Sequence, residues 1–311
     1  MIEPELNPTC PVCGSRNIVH FASARDVEYY TSDQSYLYLE CKDCRSVFLE
    51  APPVDQLEKI YPSNYYSYSP GQQLNSITER IKRYLDARLF KKLLRQIPGE
   101  NLNVLDVGGG AGWMLSTIRR VSTRVKKTHE IDINQRARSA AESAGHVFHC
   151  CRVEDFCSAE TFDLILMLNL IEHVSDPAAV LKAMGTLLSP GGLVLIKTPN
   201  VDTLDCRLFR YNNWGGFHCP RHFVIFNRQS LTDLGNRCGL QPVEVTYTQG
   251  APQWACSILG WMGLKGSLRI SAERPLYAHP LYPYVCAIAA AFDMIRAPFA
   301  PTAQMFVIFR R

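Results

Sequence analysis

Three groups of residues in this 311-residue chain have the types and spacing to do chemistry. The first is four cysteines in two C-x-x-C pairs, Cys10 and Cys13 in "CPVC" and Cys41 and Cys44 in "CKDC", with 27 residues between them. Thiolates so spaced can converge tetrahedrally on one zinc ion as two knuckles. Zinc then replaces a core that a segment of about 50 residues can barely supply. No ligand position is left open, so the expected role is structural; the other eight cysteines read as small buried apolar residues.

The second group is "VLDVGGGAGWML" (104–115), where Asp106 precedes Gly108, Gly109, Gly110 and Gly112. Glycines let a backbone bend and approach a ligand closely. A dinucleotide fingerprint fails because Trp113 stands at its third glycine position, and the Gly-Lys-Ser/Thr ending of a phosphate loop is absent. The remaining pattern, Asp-x-Gly-x-Gly-x-Gly, offers open N–H groups and a helix start to a ligand carboxylate. A carboxylate about 20 residues beyond such a loop can take two vicinal hydroxyls. In "HEIDIN", Asp132 is the first choice because it leaves Asn134 to cap the next helix; Glu130 is the alternative.

The third group is histidines. A base near neutral pH is usually an imidazole, and His173, His218 and His222 are the candidates. His222 leads, since it follows the fifth strand, at the carboxyl edge where α/β sheets bind ligands. His218 and His222 have a metal-pair spacing, but no third ligand lies in reach by sequence.

Strand and helix patterns alternate around these groups. Strands are expected at 103–107, 127–132, 162–168 and 193–199, with helices after 112, over 134–144 and over 177–188. Such alternation predicts an α/β fold, a parallel sheet with helices on both faces. A helix (229–238), a strand (241–247) and a last strand, "AQMFVIF", follow. Upstream, Ile77, Ile81, Leu85, Leu89, Leu93 and Ile97 stand at helical spacing, and the Pro- and Tyr-rich stretch 51–72 reads as a linker or lid, with Tyr65, Tyr66 and Tyr68 as lid residues. The expected organisation is a cysteine unit (1–50), a linker and helix (51–98) and a large domain (99–311) with insertions at about 200–227 and 249–302. The pattern assigns no elements to 249–302.

Composition narrows the classes. The net charge of +4 is mild for a nucleic-acid binder. No basic and apolar leader begins the chain, and no uncharged apolar run reaches about 18 residues. A reducing, cytoplasmic setting is expected, in which C-x-x-C pairs more often hold metal than form disulfides. The apolar segment 251–264, with two tryptophans, suits plain packing, an acceptor pocket, a peripheral membrane contact or a homodimer contact.

"VLDVGGGAGWML", Asp132 and "FDLILMLNLIEHVSDPAAVLKAMGTLLSPGGLVLIKTPN" (162–200) resemble, in order, the motifs of class I S-adenosylmethionine (SAM)-dependent methyltransferases. With "CPVC…CKDC", "YPSNYY" and "WGGFHCPRHFVIF" (214–226), residues 8–248 resemble the zinc-ribbon methyltransferases classed as methyltransferase domain 23. The resemblance implies a Rossmann-like sheet with a final antiparallel strand, a small N-terminal zinc ribbon, and SAM held by the glycine loop, Asp132 and Asn169. "CRVEDF" (151–156) resembles the family's adenine segment, but Arg152 stands where an acid is usual, leaving Glu154 or backbone groups for the adenine. Arg45 replaces the glycine that often follows a knuckle's second cysteine, whereas Gly14 keeps it. The implied acceptor is a small molecule, sugar or glycan, methylated on oxygen or carbon. Two rival readings are a nucleic-acid methyltransferase, whose Asn/Asp-Pro-Pro-aromatic motif is replaced here by "NLIEHV", and a non-catalytic SAM-fold scaffold.

Overall fold

The structure, a computed structural model, describes residues 8–62, 64–65 and 77–311. Three short antiparallel strands come first: β1 (Ile18–Ala24), β2 (Tyr36–Cys41) and β3 (Val47–Leu49). A short helix, α1 (Leu57–Ile60), and a long one, α2 (Ile77–Leu94), lead to the main sheet. There β4 (Leu102–Val107), β5 (Val125–Ile131), β6 (Val147–His149), β7 (Phe162–Leu168) and β8 (Leu188–Pro199) run parallel. They alternate with α3 (Trp113–Val121), α4 (Arg138–Ser143) and α5 (Pro177–Leu187). The chain continues through α6 (Leu204–Phe209), β9 (Val224–Ile225), α7 (Arg228–Arg237), β10 (Gln241–Thr248), α8 (Ala251–Leu264), α9 (Tyr282–Arg296) and β11 (Gln304–Arg310). The seven-stranded order is β10-β11-β8-β7-β4-β5-β6, with β11 antiparallel to both neighbours.

Local chemistry explains these elements. β7 sends Phe162, Ile165 and Met167 into one core and Leu164 and Leu166 into the other, so its apolar run is buried on both faces. Asp176 caps α5 by accepting the Ala179 N–H at 2.9 Å, with Pro177 in the first turn. Asn227 and Ser230 form a reciprocal capping box that starts α7.

Two features differ from the sequence reading. In α2 the expected apolar stripe is only half used: Phe90, Leu93 and Leu94 pack on the sheet, while Ile81 and Leu85 are exposed because only the last turns reach the core. The stretch 249–302 is an α-helical hairpin, α8 and α9, set between β10 and β11. Tyr66 and Tyr68, two of the expected lid residues, lie outside the described residues.

The cysteine unit is not a separate bead. β9 pairs with β3, Val47 opposite Ile225 and Phe48 opposite Val224, completing a four-stranded sheet β1-β2-β3-β9. Asn200, just past β8, bridges to Phe226, so the same stretch is tied to the main sheet. The two sheets thus meet at the segment following the fifth parallel strand.

Candidate active site

β4 ends in the glycine loop, where Gly108, Gly110 and Gly112 all adopt left-handed backbone angles, φ +79°, +62° and +73°. Gly109 is constrained differently: a Cβ there would lie 2.2 Å from Asp106 Oδ2 and 2.6 Å from Glu130 Oε2. The close approach demanded by the glycines is therefore partly to the protein's own carboxylates. Glu130 Oε1 accepts the Gly109 N–H at 2.7 Å, and Asp132 Oδ2 accepts the Gly110 N–H at 3.0 Å. Asp132 Oδ1 also accepts the Asn134 N–H at 2.7 Å, just past the end of β5.

Three carboxyls thus gather under one loop. Burial, reinforced by the Asp132 charge, pushes Asp106 up to about 7. Burial and the neighbouring Asp106 raise Glu130 well above the carboxylate range, and burial raises Asp132. Asp106 Oδ2 and Glu130 Oε2 are buried without a hydrogen-bond partner among the described residues. Such orphaned acceptors suit a ligand carrying an ammonium group and vicinal hydroxyls, both of which SAM has. Of the other residues expected on the cofactor side, Glu154 pairs with Arg152 at 3.3 Å, so the arginine that breaks the family pattern engages the acid meant to serve. Asn169, left-handed at φ +58° after β7, donates to Glu172 Oε1 at 3.1 Å.

The histidines converge at the carboxyl edge. His173 and His222 have ring centroids 4.7 Å apart, and His218 lies 5.1 Å from His222 and 6.3 Å from His173. The Nδ1–H of His222 donates to the Gly216 carbonyl at 2.8 Å, and that of His173 to the Arg221 carbonyl at 2.9 Å, where the Tyr61 hydroxyl also meets it. The carbonyls select the Nδ1–H tautomer, so each Nε2 carries a lone pair. His222 Nε2 lies 3.9 Å from Glu172 Oε1. Burial drives His222 well below its ordinary value and His173 down to about 3, so both imidazoles are neutral near pH 7. Burial lifts Glu172 to about 7.

A metal pair of His218 and His222 is not what forms. The atoms within 4.8 Å of one another belong to Glu172, His173 and His222, a spacing that also admits a cation. Both Glu172 oxygens already accept hydrogen bonds, from Asn169 at 3.1 Å and from Thr198 at 2.9 Å, which favours a proton network.

The four cysteines do form a cluster, with all four sulfurs within 4.8 Å of one another. Cys10 and Cys44 are 3.6 Å apart and Cys13 and Cys41 3.5 Å. A tetrahedral ion with metal–sulfur bonds of ~2.3 Å needs sulfurs just under ~4 Å apart, so the donors fit zinc. The two knuckles match: Gly14 N–H donates to the Cys10 carbonyl at 2.9 Å and Arg45 N–H to the Cys41 carbonyl at 2.7 Å. Arg45 takes the left-handed angle, φ +58°, that Gly14 takes at +76°.

Sequence reasoning missed the residues that join the cysteine unit to the histidines. Arg221 is fully buried, paired with Asp26 at 2.8 Å and donating to the Ile60 carbonyl at 2.6 Å. Glu28 Oε2 accepts the His218 Nδ1–H at 2.9 Å, and Tyr65 meets the other ring nitrogen at 3.2 Å. The one available signal was the arginine of "PRH", a charge inside an otherwise apolar stretch.

The chain is similar to known methyltransferases. A family model described as a methyltransferase domain matches residues 79–245, more than half the chain and excluding the cysteine unit. The ubiquinone biosynthesis O-methyltransferase of Parvibaculum lavamentivorans is 35% identical over 208 residues, covering 62% of this chain and 79% of that protein. The Cereibacter sphaeroides protein of the same name is 34% identical over 189 residues, covering 55% and 72%. Among solved structures, the 1,6-didemethyltoxoflavin-N1-methyltransferase of Burkholderia thailandensis superposes with a TM-score of 0.50 at 16% identity, covering 87% of this chain and 97% of that one. Coclaurine N-methyltransferase gives 0.51 at 12%, covering 84% and 82%. These structures share the fold.

Proposed function

The chain belongs to the methyltransferase-domain family and is a SAM-dependent methyltransferase, and from that premise we propose that it methylates a hydroxyl oxygen of a small-molecule or glycan acceptor, with His222 taking the hydroxyl proton. The observation that carries the reading is the Nδ1–H···O=C bond from His222 to Gly216, which leaves Nε2 unprotonated at the carboxyl edge. The curated relatives are named O-methyltransferases of ubiquinone biosynthesis, which favours oxygen over nitrogen or carbon.

When bound, SAM supplies a methyl carbon on a sulfonium, and in-line attack breaks the carbon–sulfur bond with its electron pair going to sulfur. The chain's residues do the rest. The glycine loop, Asp106 and Asp132 would hold the cofactor, with Glu154 and Asn169 the further residues expected to contact it. His222 Nε2 accepts the acceptor's proton as the oxygen forms its new bond to carbon. Glu172, once ionised, steadies the resulting imidazolium from 3.9 Å. His173 and His218 fix the ring and the acceptor loop. The first 50 residues would hold a structural zinc on Cys10, Cys13, Cys41 and Cys44, and their coil over 25–31 is tied to the histidine loop by Asp26–Arg221 and Glu28–His218. The mild charge and missing Pro-Pro motif weigh against a nucleic-acid acceptor.

The test is turnover with ¹³C-methyl SAM and a panel of hydroxylated acceptors, followed by NMR of the product. Methoxy signals support the reading; transfer to amines or carbon alone, or none, defeats it.

A further inference from the structure

Helix α9 is apolar on both its packed and its exposed face. Its one acidic residue, Asp293, is completely buried. Asp293 Oδ2 accepts the Gly250 N–H at 2.8 Å, and Oδ1 accepts the Trp254 indole N–H at 3.3 Å and the Arg296 guanidinium at 2.9 Å. Tyr282, Val285, Cys286 and Ala289 pack on the same side, and a second apolar row points the other way. Tyr284, Ile288, Phe292 and Ile295 recur every three or four residues and form one exposed stripe, flanked by exposed Leu281 just before the helix and Phe299 just after it. Ile288 is 72% exposed, Ile295 74% and Phe299 86%. At a rise of ~1.5 Å per residue the helical part of the stripe runs for roughly 17 Å. Trp261 and Leu264, at the end of α8, are exposed as well. Soluble surfaces rarely leave so large a contiguous apolar face open.

Charge indicates what covers it. The turn joining the two helices exposes Lys265, Arg269 and Arg274 against a single exposed acid, Glu273. None of the three cations holds an ion pair among the described residues. A second copy of the chain would bring the same cations and no exposed acid on α9 to answer them. An anionic bilayer offers an apolar layer and negative charge together. Among the described residues no helix is long and apolar enough to cross a membrane, so contact would be in the plane of the interface.

Position gives the contact a use. β10 runs parallel to β8, so the hairpin that follows it sits at the carboxyl edge of the sheet. The inner face of α8 holds the acceptor loop: Ser257 Oγ accepts the Gly215 N–H at 2.8 Å, one residue before the Gly216 carbonyl that orients His222. We propose that the exposed face of α9, with the Lys265–Arg274 turn, docks on an anionic phospholipid surface and brings the acceptor site to it.

Vesicle flotation tests this with the full chain, using phosphatidylcholine vesicles with and without phosphatidylglycerol. The protein should float with the anionic vesicles only and be released by high salt. Ile288→Glu with Ile295→Glu should abolish flotation, and Lys265→Glu with Arg269→Glu should weaken it, while both proteins keep unchanged affinity for S-adenosylhomocysteine. No flotation of the unsubstituted chain, or equal flotation with neutral vesicles, overturns the proposal. So does light scattering that finds a dimer which Ile288→Glu splits, since the stripe would then join two copies.

Discussion

Glu28 and His218 stand 190 residues apart in the chain and 2.9 Å apart in space. Two positions before Glu28, Asp26 meets Arg221 in an ion pair with neither side chain exposed. The coil after β1 is thereby clamped over the loop that carries the histidines. Burial pushes Asp26 up, but the Arg221 charge outweighs it and holds the carboxyl low. Removing one partner of a buried pair costs about 3–5 kcal/mol. Asp26→Ala should lose that much in denaturant unfolding. A lowered carboxyl contributes stability above its unfolded value and loses it as pH falls, so the intact protein's melting temperature should drop below roughly pH 4, and less so in Asp26→Asn.

Zinc should co-purify at one equivalent per chain. Elemental analysis of Cys41→Ser should find it gone. Because β9 and Arg221 couple the cysteine unit to the acceptor loop, that variant should turn over poorly while still binding S-adenosylhomocysteine. Zinc retained at one equivalent would refute the ligand set, and a second equivalent would place a cation among Glu172, His173 and His222.

Cofactor affinity separates Asp132 from Glu130. Calorimetry on Asp132→Ala should show a loss of ~1–3 kcal/mol, the scale of hydrogen bonds donated to a charged acceptor. The Gly109 N–H holds Glu130 beneath the loop, so Glu130→Gln should cost less affinity than stability. Unchanged affinity in Asp132→Ala would transfer the role to Glu130.

The pH profile should rise through about 7. Burial raises Glu172 to about 7, so below that pH it is protonated and cannot steady a charged His222. His222 is held neutral by burial far below this range and adds no limb of its own. Glu172→Gln should flatten the rise and lower the plateau of turnover. A rise that survives this substitution would assign it to another group.

What could be read from the sequence was local. The glycine loop, the cysteine knuckles and the caps at Asn134 and Asp176 are set by residues within a few positions of each other, and each is visible as spacing. The Asp26–Arg221 and Glu28–His218 contacts close over about 190 residues, and no periodicity encodes them. Helix α9 gave no amphipathic period because it is apolar on both faces, Val285 and Ala289 packed inward and Ile288 and Ile295 exposed, while its one acid is buried. The helical spacing of Ile81 and Leu85 correctly marked a helix but not their exposure, since periodicity reports a face and not whether a partner lies opposite it.

The central claim is that His222 removes the acceptor's proton, and turnover by His222→Gln tests it most directly. Glutamine can keep a hydrogen bond to the acceptor but cannot take a proton from it. A positioned base contributes typically ~10²–10⁴-fold. His222→Gln and His222→Ala should both fall by about that factor, with cofactor affinity unchanged. Near-full turnover by His222→Gln would contradict the account and leave the histidine only to orient the acceptor.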